Sequence, residues 1–189
     1  MVRPSAASRA SARRLNLFKV TLLALLAANT AYFAIGGSIS KALDAAAWLT
    51  LLLLFEAETQ FAGLLRSNRQ RVIVRTMRLA AAAGVVAATV GYVLEDDVLD
   101  ALNSAVWIAV VVLLEIQVRY RDRVQRVRPA FAAVAASLYG ALALLVLIWA
   151  GRGQWFDAYD ALLWLVAFGA LELDLTIGKT SADAPLTSR

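Results

Sequence analysis

The chain has no cysteine, no histidine and only 17% charged residues. Without Cys there can be no disulfide, thiolate metal site, iron–sulfur cluster or Cys nucleophile. Without His the commonest general base, haem ligand and zinc ligand are missing, and no His-dependent triad can form. Carboxylates are left for acid–base work or for holding hard cations. Walker A, G-x-G-x-x-G, H-E-x-x-H and G-x-S-x-G motifs are also absent. Tyr159-Asp160 supplies one half of an intramembrane aspartyl protease pair, but Gly169-Ala170-Leu171-Glu172 is not the Gly-x-Gly-Asp that would complete it. No apolar span is broken by Gly or Pro in the manner of transporters. These absences lead to the expectation of a protein with no cofactor, no metal and no enzymatic activity.

What is present is apolar. Of 189 residues 61% are hydrophobic, and the mean hydropathy is +0.67. A soluble domain has about 45–50% apolar and about 25% charged residues. The excess falls in long blocks, so the sequence predicts an all-α integral membrane protein. Six stretches approach the ~20 residues needed to cross a bilayer as a helix. They cover residues 16–36, 43–65, 79–95, 99–118, 130–150 and 158–177. The second and sixth contain acids and count as spans only if those acids are tolerated.

Charge then sorts by side. Arginines cluster before the first stretch, between the second and third, and between the fourth and fifth. Counting the tail, 17 of the 19 Lys and Arg fall on one face, and only Lys41 and Arg152 on the other. The positive-inside rule makes the Arg-rich face cytoplasmic, with both termini inside. The expected setting is a bacterial inner (plasma) membrane with anionic lipid against the arginines. The +5 net charge is thus an orientation signal, and no nucleic-acid partner is expected. Residues 1–15 read as a basic cytoplasmic tail, with a targeting segment as the alternative. Residues 16–178 form the membrane domain and 179–189 a second cytoplasmic tail.

A repeat runs through the even-numbered stretches. They carry Asp44, Trp48, Glu56, Glu58; then Asn103, Trp107, Glu115, Gln117; then Asp160, Trp164, Glu172, Asp174. The pattern is [DN]-x3-W-x7-E-x-[EQD], three times. The odd stretches have small residues four apart: Ala24 and Ala28; Ala83, Ala87 and Gly91; Ala132, Ala136 and Gly140. Such faces let helices approach closely in lipid. The chain therefore reads as three sequential helical hairpins with pseudo-threefold symmetry, over 16–65, 79–118 and 130–177.

Helical geometry places the repeated residues. With the Trp at the origin, the Glu eight later lies near +80° and the residue ten later near −80° at ~100° per residue. One helix cannot close a two-carboxylate clamp with them, but neighbouring helices could. The expectation is a polar girdle of Glu56, Glu58, Glu115, Gln117, Glu172 and Asp174, able to carry protons or cations. The alternative is that these acids pair with loop arginines at the inner interface. Asp44, Asn103 and Asp160 read as helix N-caps. Trp48, Trp107 and Trp164 read as either an outer aromatic belt or a buried contact. The functional expectation is a small proton- or cation-handling permease. The alternative is an accessory subunit of a larger membrane assembly, or a homo-oligomer.

Overall fold

The computed structural model describes the backbone of residues 6–60 and 67–182, and the side chains of 17–58, 67–117, 119–120 and 122–169. These residues are almost wholly helical and include no strand. The helices are α1 (Ala6–Gly36), α2 (Ile39–Gln60), α3 (Asn68–Leu94), α4 (Val98–Arg119), α5 (Arg121–Arg126), α6 (Arg128–Gly151) and α7 (Trp155–Ala182). The helix beyond the expected six is α5, a short turn inside an Arg-rich connection. Among the described residues four segments are long and apolar enough to cross a membrane: Leu17–Gly36, Asn68–Leu94, Val98–Gln117 and Arg128–Gly151. The other two long helices, α2 and α7, each carry three acids of the repeat, whereas α4 carries only Glu115.

Helices begin earlier than hydropathy alone suggests. Ser38 precedes α2 and accepts a hydrogen bond from the Lys41 N–H at 3.3 Å, in the manner of an N-cap. Arg69, Arg71, Arg75 and Arg78 lie in the first turns of α3 and are not loop residues. At 1.5 Å per residue α3 is about 40 Å long, which exceeds a ~30 Å hydrocarbon core and leaves room for its basic end outside. Pro129 sits at the second residue of α6, where its missing N–H costs no helical hydrogen bond.

The chain divides into two compact units, residues 27–145 and residues 1–26 with 146–189. In the first, α3 runs against α2 and α4. The tightest seam is α2–α3. A methyl group on Gly84 would stand 3.3 Å from the Ala47 Cβ, and one on Gly91 would overlap the Ser40 hydroxyl. Seven residues separate the two glycines and seven separate their partners, so the seam is antiparallel and in register. The buried face of α3 is Ala81, Val85, Ala88 and Tyr92.

This corrects the expected small-residue faces. Ala24, Ala28, Ala83, Ala87, Ala132, Ala136 and Gly140 are all exposed, and only Gly91 lies in an interface. In α3 alanine occurs on every face from Ala80 to Ala83, so four-residue spacing did not single out one stripe. Close approach selected the stripe with the glycines.

In the second unit, Ala158, Ala161, Trp164 and Ala167 form the buried face of α7, and Trp164 packs on Phe168 with ring centroids 6.4 Å apart. The turns before α4 and α7 close alike. The Asp97 N–H donates to the Tyr92 carbonyl and the Asp96 N–H to that of Val93; the Gln154 N–H donates to Trp149 and the Gly153 N–H to Ala150. Both are Schellman closures, which need a left-handed residue just past the helix. Gly153 (φ 76°) supplies it at one turn and Asp96 (φ 58°) at the other.

Candidate functional site: a polar core between three helices

The repeated residues occupy equivalent helical positions. Trp48, Trp107 and Trp164 are each the tenth residue of their helix, and Asp44, Asn103 and Asp160 each the sixth. The last three are therefore not N-caps, because the helices start more than a turn before them. All three tryptophans are buried, which leaves no outward belt among them. Trp48 and Trp107 meet with centroids 6.3 Å apart and planes tilted by 58°. Such a contact contributes about 0.5–1.5 kcal/mol beyond burial.

Above this indole pair α2, α3 and α4 enclose a polar cluster. Asp44 is its centre. The Ser104 hydroxyl donates to Asp44 Oδ1 at 3.3 Å, and the Tyr92 hydroxyl reaches Asp44 Oδ2 at 3.5 Å. Ser104 has no exposed surface, and its Oγ lies 2.7 Å from the Thr89 Oγ1. Thr89 in turn lies 2.9 Å from the carbonyl oxygen of Val85. One turn nearer the helix ends, Lys41 forms an ion pair with Asp100 at 3.1 Å. Its ammonium also stands 5.9 Å from the centre of the Phe33 ring, within cation–π range. The Oδ1 of Asn103 is buried without a hydrogen-bond partner.

Ser40 joins the rim. Gly91 leaves room for it, and its hydroxyl donates to Glu95 Oε1 at 2.6 Å. Hydrogen bonds from Ser40, and then from Ser38, hold the Glu95 carboxyl below the ordinary carboxylate range. The folded state thus favours ionised Glu95. That contribution is present above the unfolded value near ~4.3 and is lost as acid protonates the group.

Of the expected girdle, the described side chains are those of Glu56, Glu58, Glu115 and Gln117. Glu58 pairs with Arg78, and Glu115 is exposed and pairs with Arg119 at 2.8 Å one turn away. Gln117 is exposed and Glu56 half-buried. The side chains of Glu172 and Asp174 lie outside the described residues.

Sequence reasoning missed the polar cluster. In the sequence Lys41 stands out as one of the two basic residues away from the arginine clusters and the C-terminal tail, and Asp100 is one of four acids between residues 95 and 100. Their pairing was not visible, because it joins residues 59 positions apart. Comparison with protein-family models, with curated proteins and with solved structures finds no match to this chain.

Proposed function

We propose that the chain is a six-span protein of the bacterial inner membrane that handles protons or cations through intramembrane carboxylates. Its termini lie inside, and three hairpins repeat around the Trp/acid helices. The observation that carries this reading is the cluster of Lys41, Asp44 and Asp100 with Thr89, Tyr92 and Ser104. An ionisable group within a bilayer is costly and is kept where it serves a pathway or a site. Here one carboxylate collects hydroxyl groups from two other helices, beside a lysine–aspartate pair. The equal placement of the three tryptophans and the matched turns before α4 and α7 support the repeat. The one-sided arginines support the orientation and an anionic-lipid contact at the inner face.

The test is flux in proteoliposomes under an imposed pH or cation gradient. Asp44→Asn and Glu56→Gln are each expected to lower the flux about tenfold or more, as loss of an intramembrane carboxylate on a pathway should. Flux equal to that of the unaltered protein in both variants would overturn the reading.

One observation favours a second reading, an accessory subunit. Ala132, Ala136 and Gly140 form an exposed small-residue face on α6, suited to a partner helix in lipid. Co-purification of another membrane protein, lost in Gly140→Leu without loss of folding, would support that reading over the first.

A further inference from the structure

The hydrogens in the polar core can be counted. Three oxygen–oxygen contacts lie in series: Asp44 Oδ1 to Ser104 Oγ at 3.3 Å, Ser104 Oγ to Thr89 Oγ1 at 2.7 Å, and Thr89 Oγ1 to the Val85 carbonyl at 2.9 Å. Each hydroxyl has one hydrogen. The carbonyl and an ionised carboxylate have none. Two hydrogens must then serve three contacts, and one contact is left as two facing lone pairs. A separation of 2.7 Å between hydroxyl oxygens requires a hydrogen between them, so the bare contact falls at one end. With Asp44 ionised, both hydroxyls turn toward it, and the Thr89–Val85 contact is bare. A proton on Asp44 supplies the third hydrogen. Asp44 then donates to Ser104, Ser104 to Thr89 and Thr89 to Val85, and every contact is a hydrogen bond.

We propose that Asp44 is a proton-binding site whose occupancy is relayed to α3 by the Ser104–Thr89 hydroxyl pair. The step balances simply. The carboxylate gains one proton, no other covalent bond changes, and two hydroxyl hydrogens rotate from facing Asp44 to facing away from it. Ser104 is wholly buried, so the link between Asp44 and Thr89 is closed to water. The arrival of a proton on α2 thus changes the hydrogen bonding of a backbone carbonyl on α3. The charged and titratable groups around the site are Lys41 on α2 itself, Tyr92 and Glu95 from the α3 side, and Asp97 and Asp100 from the α4 side. This inference names the site and the ion within the proton-handling reading, and rests on that reading only for the use made of the proton.

Infrared difference spectra of the whole protein in detergent or lipid, recorded between alkaline and acid pH, test it directly. A carboxylic-acid carbonyl band that grows on acidification, is missing in Asp44→Asn and shifts in frequency in Ser104→Ala is the expected result. Asparagine can donate to Ser104 as a protonated acid does, so this variant should fold. If it does not, Ser104→Ala and Thr89→Val still give the shift, since each alters what the acid proton meets. A spectrum unchanged in Asp44→Asn, or a band unmoved in both hydroxyl variants, would overturn the proposal. Flux reports separately: a band at Asp44 without transport would leave the site standing and remove the permease reading.

Discussion

Lys41→Met is expected to lower stability by about 3 kcal/mol, and Asp100→Leu in the same chain to restore most of it. The reason is an asymmetry of charge burial. Lys41 and Asp100 keep only 18% and 13% of their side-chain surface. Together they neutralise each other, and the lysine adds a contact with Phe33. Removing Lys41 alone leaves a carboxylate with little water near it, in a rim that already holds Asp97 and Glu95. Removing both charges leaves an apolar contact in an apolar bundle, which is often neutral for stability. A double-mutant cycle by thermal unfolding in detergent measures this. If the two single losses simply added in the double variant, the pair would not be the coupled unit described above.

The second large effect concerns the α2–α3 seam. Gly91→Leu is expected to cost about 3 kcal/mol or more, the upper range for forcing bulk into a packed contact. Even a methyl group there meets the Ser40 hydroxyl, which is held in place by Glu95. The order of severity should be Gly91→Leu, then Gly91→Ala, then Gly84→Ala, because the Ala47 methyl at 3.3 Å has to yield only slightly. Ser40→Ala should partly rescue Gly91→Ala by removing the overlapping oxygen. Gly140→Ala should be tolerated, since nothing lies within 4 Å of the added carbon. Thermal unfolding of the series would contradict the seam if Gly140→Ala proved as damaging as Gly91→Ala.

These two sites show what could and could not be read from the sequence. The apolar blocks, the arginine bias and the Trp-to-Glu spacing all depend on residues near one another along the chain, and helix periodicity is enough to interpret them. Equal placement of Trp48, Trp107 and Trp164 in their helices follows from that spacing. The pairing of faces between helices is another matter. Ser104 meets Asp44 across 60 residues, and Tyr92 meets it across 48. Thr89 and Ser104 are small polar residues of a kind common in membrane helices, and nothing in their local sequence marks them. The small-residue stripe failed for a related reason. In an alanine-rich helix a shift of one residue turns the face by about 100°, and composition does not distinguish the alternatives. Ser38 before α2 could have corrected the helix starts, as an N-cap residue lying just ahead of Lys41. Had α2 been started there, Asp44 would have fallen inside it, where a carboxylate serves tertiary contacts.

The proposed orientation puts the turns before α4 and α7 on one face of a bilayer and the arginine clusters on the other. The absence of cysteine makes that directly measurable. Single cysteines can be placed at exposed positions as Asp96→Cys and Gln154→Cys in the two turns, and as Arg71→Cys and Arg123→Cys at the basic end. A membrane-impermeant thiol reagent added to intact cells should label the first two and spare the last two until the cells are lysed. Labelling of Arg71→Cys or Arg123→Cys from outside, or protection of Asp96→Cys, would contradict the orientation and the placement of the Asp44 cluster toward the outer surface.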